Sequence, residues 1–425
     1  MKTELIPLGD GFAPRAPANI SETGVEAAIL KDQALKLAST AYSFSAEWAA
    51  RRLHLPVKLV EDLLQQLAKD AMLEILGEAD LFTHRYAIVK RGLEEATRLL
   101  EVSGYIGPAP VSLESYTEFL EWQIGRFPAI RPRDVVDAIS EMVLPEEAVR
   151  LAGLTISSGR SLFLYGPPGN GKTTLGRLLH TTFRGDLWIP YCIGIDSSIV
   201  RVFDPLSHQP VPVAAEEARG VDGRWVRIQR PLIVAGGELT IDALDLAYSS
   251  SLRYYEAPLH VKANGGTFLI DDFGRQRVDP HALLNRWIAP LEYGVDHLTL
   301  RTGQQIQVPF RQMLIVATNM DLGEVTDSAF LRRIGYRLFL DNPTPERYAE
   351  IFNRYAAGRG VTVPEGLISH IFDRYNDEGV ELRACHPRDL IDRALDIRRF
   401  NDKDPELLTE DVDLAWAGYF GEARP

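Results

Sequence analysis

Ser161-Leu-Phe-Leu-Tyr-Gly-Pro-Pro-Gly-Asn-Gly-Lys-Thr-Thr-Leu-Gly-Arg-Leu178 is the stretch that decides the fold. Leu162 to Tyr165 is an apolar run without polar alternation, the pattern of a buried strand in a parallel sheet. Gly166 to Thr173 then fits G-x-x-x-x-G-K-[ST] at every fixed position. Leu175, Leu178 and Leu179 follow at helical spacing. Strand, glycine-rich loop and helix in that order are the context a phosphate-binding loop requires. Gly166, Gly169 and Gly171 let the backbone turn its N–H groups inward. The helix N-terminus adds the positive end of its dipole. Lys172 is expected to reach β- and γ-phosphates, and the Thr173 hydroxyl to bind Mg²⁺. The expected contact segment is Gly166, Pro167, Pro168, Gly169, Asn170, Gly171, Lys172, Thr173 and Thr174.

Two further apolar runs end in polar residues suited to the same site. Thr267-Phe-Leu-Ile-Asp-Asp272 reads as a buried strand ending in two acids. Carboxylates at the carboxyl end of a parallel strand face the crevice where such sheets bind ligands. Asp271 is the expected Mg²⁺ partner, through water, and Asp272 is placed to polarise an attacking water. Met313 to Thr318 is a third such strand, ending at Asn319, whose amide can orient that water or sense the γ-phosphate.

The 425 residues have room for roughly three domains. A net charge of −13 disfavours non-specific nucleic-acid binding by the chain as a whole. The two cysteines, Cys192 and Cys385, lack metal-ligand spacing and read as free thiols in a reducing compartment. Met1 to Pro17 has no apolar core like that of a secretory signal, and no stretch approaches the length of a membrane span. The expected location is the cytoplasm.

In chain order, residues 1–22 are rich in Gly, Pro and Ala and read as an extended arm. Residues 23–103 show helical periodicity from Val25 to Leu37, a second helix capped by Ser45, and a third from Val57 to Leu73. Two β-like runs follow, separated by Gly77 to Asp80, and then a helix from Arg91 to Val102. This order resembles a winged helix-turn-helix. The third helix carries acids beside Lys58, and Arg51, Arg52 and Arg85 are the main basic candidates. The mixed charge favours protein docking over DNA reading. Residues 104–133 are taken as a linker, with Gly104 to Pro110 its clearest part and helical pattern over Ser112 to Trp122. Asp134 to Met142 leads into the nucleotide-binding core, 134–342. After Asp341-Asn-Pro-Thr-Pro a helical unit, 343–425, completes the chain.

As a set, Gly166-Pro-Pro-Gly-Asn-Gly-Lys-Thr-Thr174, Leu269-Ile-Asp-Asp272, Ala317-Thr-Asn319, Asp327-Ser-Ala-Phe-Leu-Arg-Arg333 and His386-Pro-Arg-Asp-Leu390 resemble the ordered motifs of AAA+ ATPases. The resemblance spans about residues 134–420. It implies an α/β P-loop core with a parallel sheet and a C-terminal helical lid, which here follow the N-terminal unit read above as a winged helix-turn-helix domain. It implies ATP and Mg²⁺ as ligands, and Asn319 as sensor 1. Arg332 or Arg333 would be the finger that completes a neighbour's site, with Arg337 also nearby, and Arg388 would be sensor 2. It also implies self-association into a ring, most often a hexamer. The family usually carries Glu where this chain has Asp272, which implies slower hydrolysis.

Two insertions stand out. One, residues 196–265, separates an expected second core strand, Trp188 to Ile195, from the strand ending at Asp271. The other is a hairpin pattern, His297 to Leu300 and Gln305 to Val308 around Thr302-Gly303. A hairpin before sensor 1 resembles the branch holding MoxR-type chaperones and enhancer-binding activators. That resemblance makes Tyr254, Tyr255 and Arg301 candidates for pore contact, the alternative being that the tyrosines pack within the insertion.

Overall fold

Leu162, Phe163 and Leu164 are fully buried, as a strand covered on both faces must be. In the computed structural model they belong to a five-stranded sheet. The structure describes residues 3–9, 11–80, 83–321, 323, 330 and 332–421. The sheet order is Leu232–Ala235, Thr267–Ile270, Met313–Thr318, Leu162–Tyr165 and Tyr336–Phe339, and every pairing is parallel. Their carboxyl ends therefore share one edge, where the phosphate loop, Asp271 and Asn319 all lie. Helices Glu146–Ser158 and Lys172–His180 cover one face through Ala152, Ile156, Leu175 and Leu179. Helix Pro280–Tyr293 covers the other through Leu283, Leu284 and Trp287.

One core strand differs from expectation. Trp188 to Ile195 does not enter this sheet. Asp186–Pro190 pairs antiparallel with Trp225–Gln229, and Cys192–Ile195 joins a separate five-stranded sheet. Pro190 cannot donate to a ladder, so the apolar run divides there between two sheets. Leu232–Ala235, expected within the insertion, takes the vacant place beside Thr267–Ile270.

The inserted residues and the hairpin Val295–Thr299 with Gln305–Pro309 form one body with its own core, including Trp188, Ile193, Trp225, Leu298, Ile306 and Val308. Tyr255 is buried in it, 5% exposed, and Tyr254, 9% exposed, is buried in a small cluster with Tyr105, Cys192 and Ile199. Tyr254 meets Tyr105 edge-on, and the Tyr255 hydroxyl accepts the backbone N–H of Arg301 at 3.0 Å. The Arg301 guanidinium lies 4.5 Å from the Tyr248 ring centre. Both tyrosines are buried in packed clusters, and the pore-contact expectation for them is withdrawn.

The arm and the linker pack onto the insertion body, and the helix expected over Ser112 to Trp122 is present. Within the arm, Leu5–Leu8 pairs with Gly11–Pro14, and Ala13 is fully buried in the insertion core. In the expected linker, Val111–Ser112 pairs with Cys192–Ile195, and helix Leu113–Ile124 buries Tyr116, Phe119 and Leu120. Gln123 exchanges two hydrogen bonds with the backbone of Trp188, at 2.8 and 3.0 Å, occupying an otherwise unpaired strand edge. An apolar helix face with a partner surface is a packing element, which composition alone cannot reveal.

Residues 23–103 form helices Ala27–Ala38, Ala46–Leu53 and Val57–Lys69, a three-stranded sheet and helix Lys90–Val102. Ser45 Oγ accepts the N–H of Trp48, the expected cap. Leu59, Val60, Leu63, Leu64 and Leu67 are buried on one side of the third helix. Strand Leu73–Asp80 runs through Gly77, where a turn was expected. Two register shifts absorb the extra residues, and Gly77 takes φ +143°. The C-terminal helices are Pro345–Gly358, Leu367–Glu378, His386–Phe400 and Thr409–Phe420, packed around Tyr348, Phe352, Ile371, Tyr375 and Trp416. Among the described residues no helix is long and apolar enough to cross a membrane.

Candidate nucleotide site

The loop between Tyr165 and Lys172 turns where only glycine fits. Gly166 has φ +130°, and a Cβ there would lie 2.4 Å from the Leu340 carbonyl oxygen. Gly169 has φ +82°, and its Cβ would lie 2.6 Å from Cys385 Sγ. The loop is therefore pressed between the last core strand and the C-terminal unit. Pro168, Gly169 and Thr174 are exposed, while Asn170 and Lys172 are buried.

Lys172 Nζ donates to the carbonyl oxygens of Gly166 and Pro167, both at 2.8 Å. Burial lowers its pKa to about 8, against the opposing pull of Asp272 and Asp271. The Thr173 hydroxyl donates to Asp271 Oδ1 at 2.7 Å. The same oxygen accepts the backbone N–H of Asp272 at 3.0 Å. Asn319 Nδ2 donates to Asp272 Oδ1 at 3.1 Å. Thr173, Asp271, Asp272 and Asn319, from three segments distant in sequence, thus form one hydrogen-bonded row beside the lysine.

Asp272 sits at φ +48°, a left-handed conformation that Asp tolerates better than most residues. Gln276 holds that turn, a role sequence reasoning missed. Its Nε2 donates to the carbonyls of Gly236, Asp271 and Asp272 at 3.3, 3.1 and 3.3 Å, and its Oε1 accepts the N–H of Gly274 at 2.7 Å. No local pattern marks a glutamine for this task. Gln276→Leu should strand several of these groups, at roughly 1–3 kcal/mol for a buried unsatisfied one. The expected result is a lower urea midpoint with an unchanged slope; an unaltered midpoint would remove Gln276 from this role.

The C-terminal unit docks on the loop through Asn170. Its Nδ2 donates to Asn342 Oδ1 at 2.8 Å, and its Oδ1 accepts the N–H of Ala384 at 3.1 Å. Cys385 N donates to the Gly169 carbonyl at 2.9 Å, and Asn342 reaches Glu381 at 3.2 Å. Met142, from the segment leading into the core, lies within 2.8 Å of where a Gly171 Cβ would be. Arg388 stands on helix His386–Phe400, 59% exposed, bonded to Asp389 at 3.0 Å. That hydrogen bond raises its pKa further.

Arg332 and Arg333 are not near the phosphate loop of their own chain. They precede strand Tyr336–Phe339, at the amino ends of the parallel strands. Arg333 pairs with Glu292 at 2.7 Å, whereas Arg332 is exposed. Asp327 to Ala329 and Leu331 of that motif lie outside the described residues. A chain with these motifs at opposite sheet ends cannot bring both to one phosphate.

A family model described as a domain of unknown function (DUF8689) matches residues 344–418, the C-terminal helices. Among solved structures, a RuvB mutant from Thermotoga maritima is 16% identical over 66% of this chain and 71% of that one, with a TM-score of 0.40. The Thermotoga maritima RuvB Holliday junction branch migration motor is 16% identical over 64% and 67%, with a TM-score of 0.37. NtrX from Brucella abortus in complex with ADP is 14% identical over 65% of this chain and 55% of that one, with a TM-score of 0.40.

Proposed function

We propose that this chain is an AAA+ ATPase that binds ATP with Mg²⁺, hydrolyses it, and uses the energy to remodel a protein complex. The observation that carries the reading is the row Thr173, Asp271, Asp272 and Asn319 beside Lys172, at the carboxyl edge of a parallel sheet. The Thr173 hydroxyl and an Asp271 oxygen, 2.7 Å apart, are the hard oxygen donors that suit Mg²⁺. When bound, the ion would neutralise charge on the β- and γ-phosphates. Lys172, freed from the two loop carbonyls, would bind the same phosphates. Asp272 would take the proton of the attacking water as its oxygen bonds to the γ-phosphorus and the β–γ bridge breaks. Asn319, bonded to Asp272, would keep that carboxylate oriented. Arg388, itself exposed, would have to leave half-buried Asp389 to approach a nucleotide from the lid.

Arg332 would serve a neighbour's site, which implies a ring, with a hexamer the expected form. Hydrolysis would then drive rigid-body shifts between subunits. A cytoplasmic location follows from the same reading.

The 23–103 unit is read as a winged helix that docks on protein. Its hairpin exposes Glu74, Ile75, Leu76 and Glu78, with Ile75 and Leu76 49% and 53% exposed. Arg52 is held over the Trp48 ring at 4.0 Å. Acids and apolar side chains on the wing suit a protein surface better than phosphates. Titration of the full chain with duplex DNA at moderate salt should show no micromolar binding. Tight binding with a steep salt slope would instead support the DNA-directed reading. Capture of partners by Asp272→Asn with ATP, compared with Lys172→Ala, tests the remodelling assignment: enrichment of a defined complex only in the former is expected.

A further inference from the structure

The amino ends of the parallel strands enclose a cavity of about 460 Å³. It lies opposite the phosphate loop, among the segments that lead into all five core strands. Arg160, Arg230, Arg311, Arg332 and Arg333 line it, and no carboxylate is among its described lining residues. We propose that this cavity is a second anion-binding site, for a small phosphorylated ligand.

Part of the positive charge is used locally. Arg311 donates to the Gly294 carbonyl at 2.7 Å, at the end of helix Pro280–Tyr293, and pairs with Glu121 at 2.8 Å. Arg333 is held by Glu292. Guanidiniums that cap helix ends and pair with acids need no ligand. Arg160, Arg230 and Arg332 differ: none has a carboxylate within 4.0 Å among the described residues.

Arg230 carries the argument furthest. Its guanidinium lies 3.8 Å from the Phe127 ring centre and 4.9 Å from that of Phe183, and its Nε donates to the Gly265 carbonyl. Burial lowers its pKa to about 10. A desolvated cation without a counter-ion is costly, and a bound anion removes that cost. Gln312 adds an independent sign. It lines the same cavity at 8% exposure, and neither amide atom has a hydrogen-bond partner. Buried amides are seldom left unpaired. The volume is within the range of small-molecule sites, roughly 300–1,000 Å³, and planar guanidiniums match phosphoryl oxygens two at a time.

The same oxyanion chemistry could come from a nucleotide held by another copy, so the test separates the two sources. The full chain carrying Lys172→Ala, which disables the phosphate loop, is titrated calorimetrically with pyrophosphate at a dilution where sedimentation shows monomer. One saturable site is expected. Arg160→Ser, an exposed position that should leave folding intact, and Arg230→Met should each weaken it about tenfold or more. Absence of saturable binding by the monomer would overturn the proposal. So would binding indifferent to both substitutions, or binding that appears only on assembly. Failure of the ATPase reading would be seen separately, as ATP affinity that Lys172→Ala leaves unchanged.

Discussion

Lys172→Ala should lower ATP affinity by roughly 100-fold, because a hydrogen-bonded charge buried against phosphates contributes about 3 kcal/mol. In the free protein the ammonium is already buried, and among the described residues it bonds to the carbonyls of Gly166 and Pro167 alone. Its positive charge is therefore available for phosphate at little further desolvation cost. The lowered pKa of about 8 adds a pH signature. Above that pH the free protein loses the Lys172 proton, so binding ATP must recover it. Wild-type affinity should fall as pH rises through about 8, and Lys172→Ala should lack that decline. Asp272→Asn makes the complementary case. It keeps the volume and a partner for Asn319 but cannot accept the proton. Binding should survive while turnover falls by about 10²–10⁴-fold. Equilibrium binding and steady-state hydrolysis separate the two variants. Wild-type turnover in Asp272→Asn would remove it as general base, and unaltered ATP binding in Lys172→Ala would remove the phosphate site itself.

The parts of this site that local pattern encodes were legible in the sequence. Leu162–Tyr165, the glycine loop and Leu175 lie in one short segment, and strand, turn and helix signals there agree. Asp271, Asp272 and Asn319 could be placed because each ends an apolar run. What escaped depends on pairing over distance. Trp188 to Ile195 and Leu232–Ala235 are equally good strands by composition, and only the break at Pro190 and the partners available decide which enters the core. Gln276 and Asn342 act through single contacts with backbone or amide groups that no periodicity announces. Leu113–Ile124 looked like part of a linker because its partner strand, Asp186–Pro190, comes more than sixty residues later. The arginines of the second cavity are drawn from separate segments, so no window of sequence contains the cluster.

Arg332→Ala should abolish turnover while leaving ATP binding nearly intact, whereas Arg333→Ala should act mainly by freeing Glu292. The distinction comes from geometry: Arg333 is tied at 2.7 Å, and Arg332 is exposed at the sheet end opposite its own phosphate loop. A guanidinium there can reach a γ-phosphate only in another subunit. Removing such a finger costs on the order of 10³-fold or more in phosphoryl transfer. Activity per subunit should accordingly rise with protein concentration. Mixing gives the decisive result. Arg332→Ala subunits keep an intact phosphate loop, and Lys172→Ala subunits keep an intact finger. Equal mixing should place the intact loop against the intact finger at roughly a quarter of the interfaces of a closed ring. Turnover should therefore reappear from two inactive proteins. If neither variant rescues the other while both still assemble, Arg332 does not act across the interface. If dilute wild-type monomer keeps full specific activity, the site is complete within one chain and the ring is not its catalytic form.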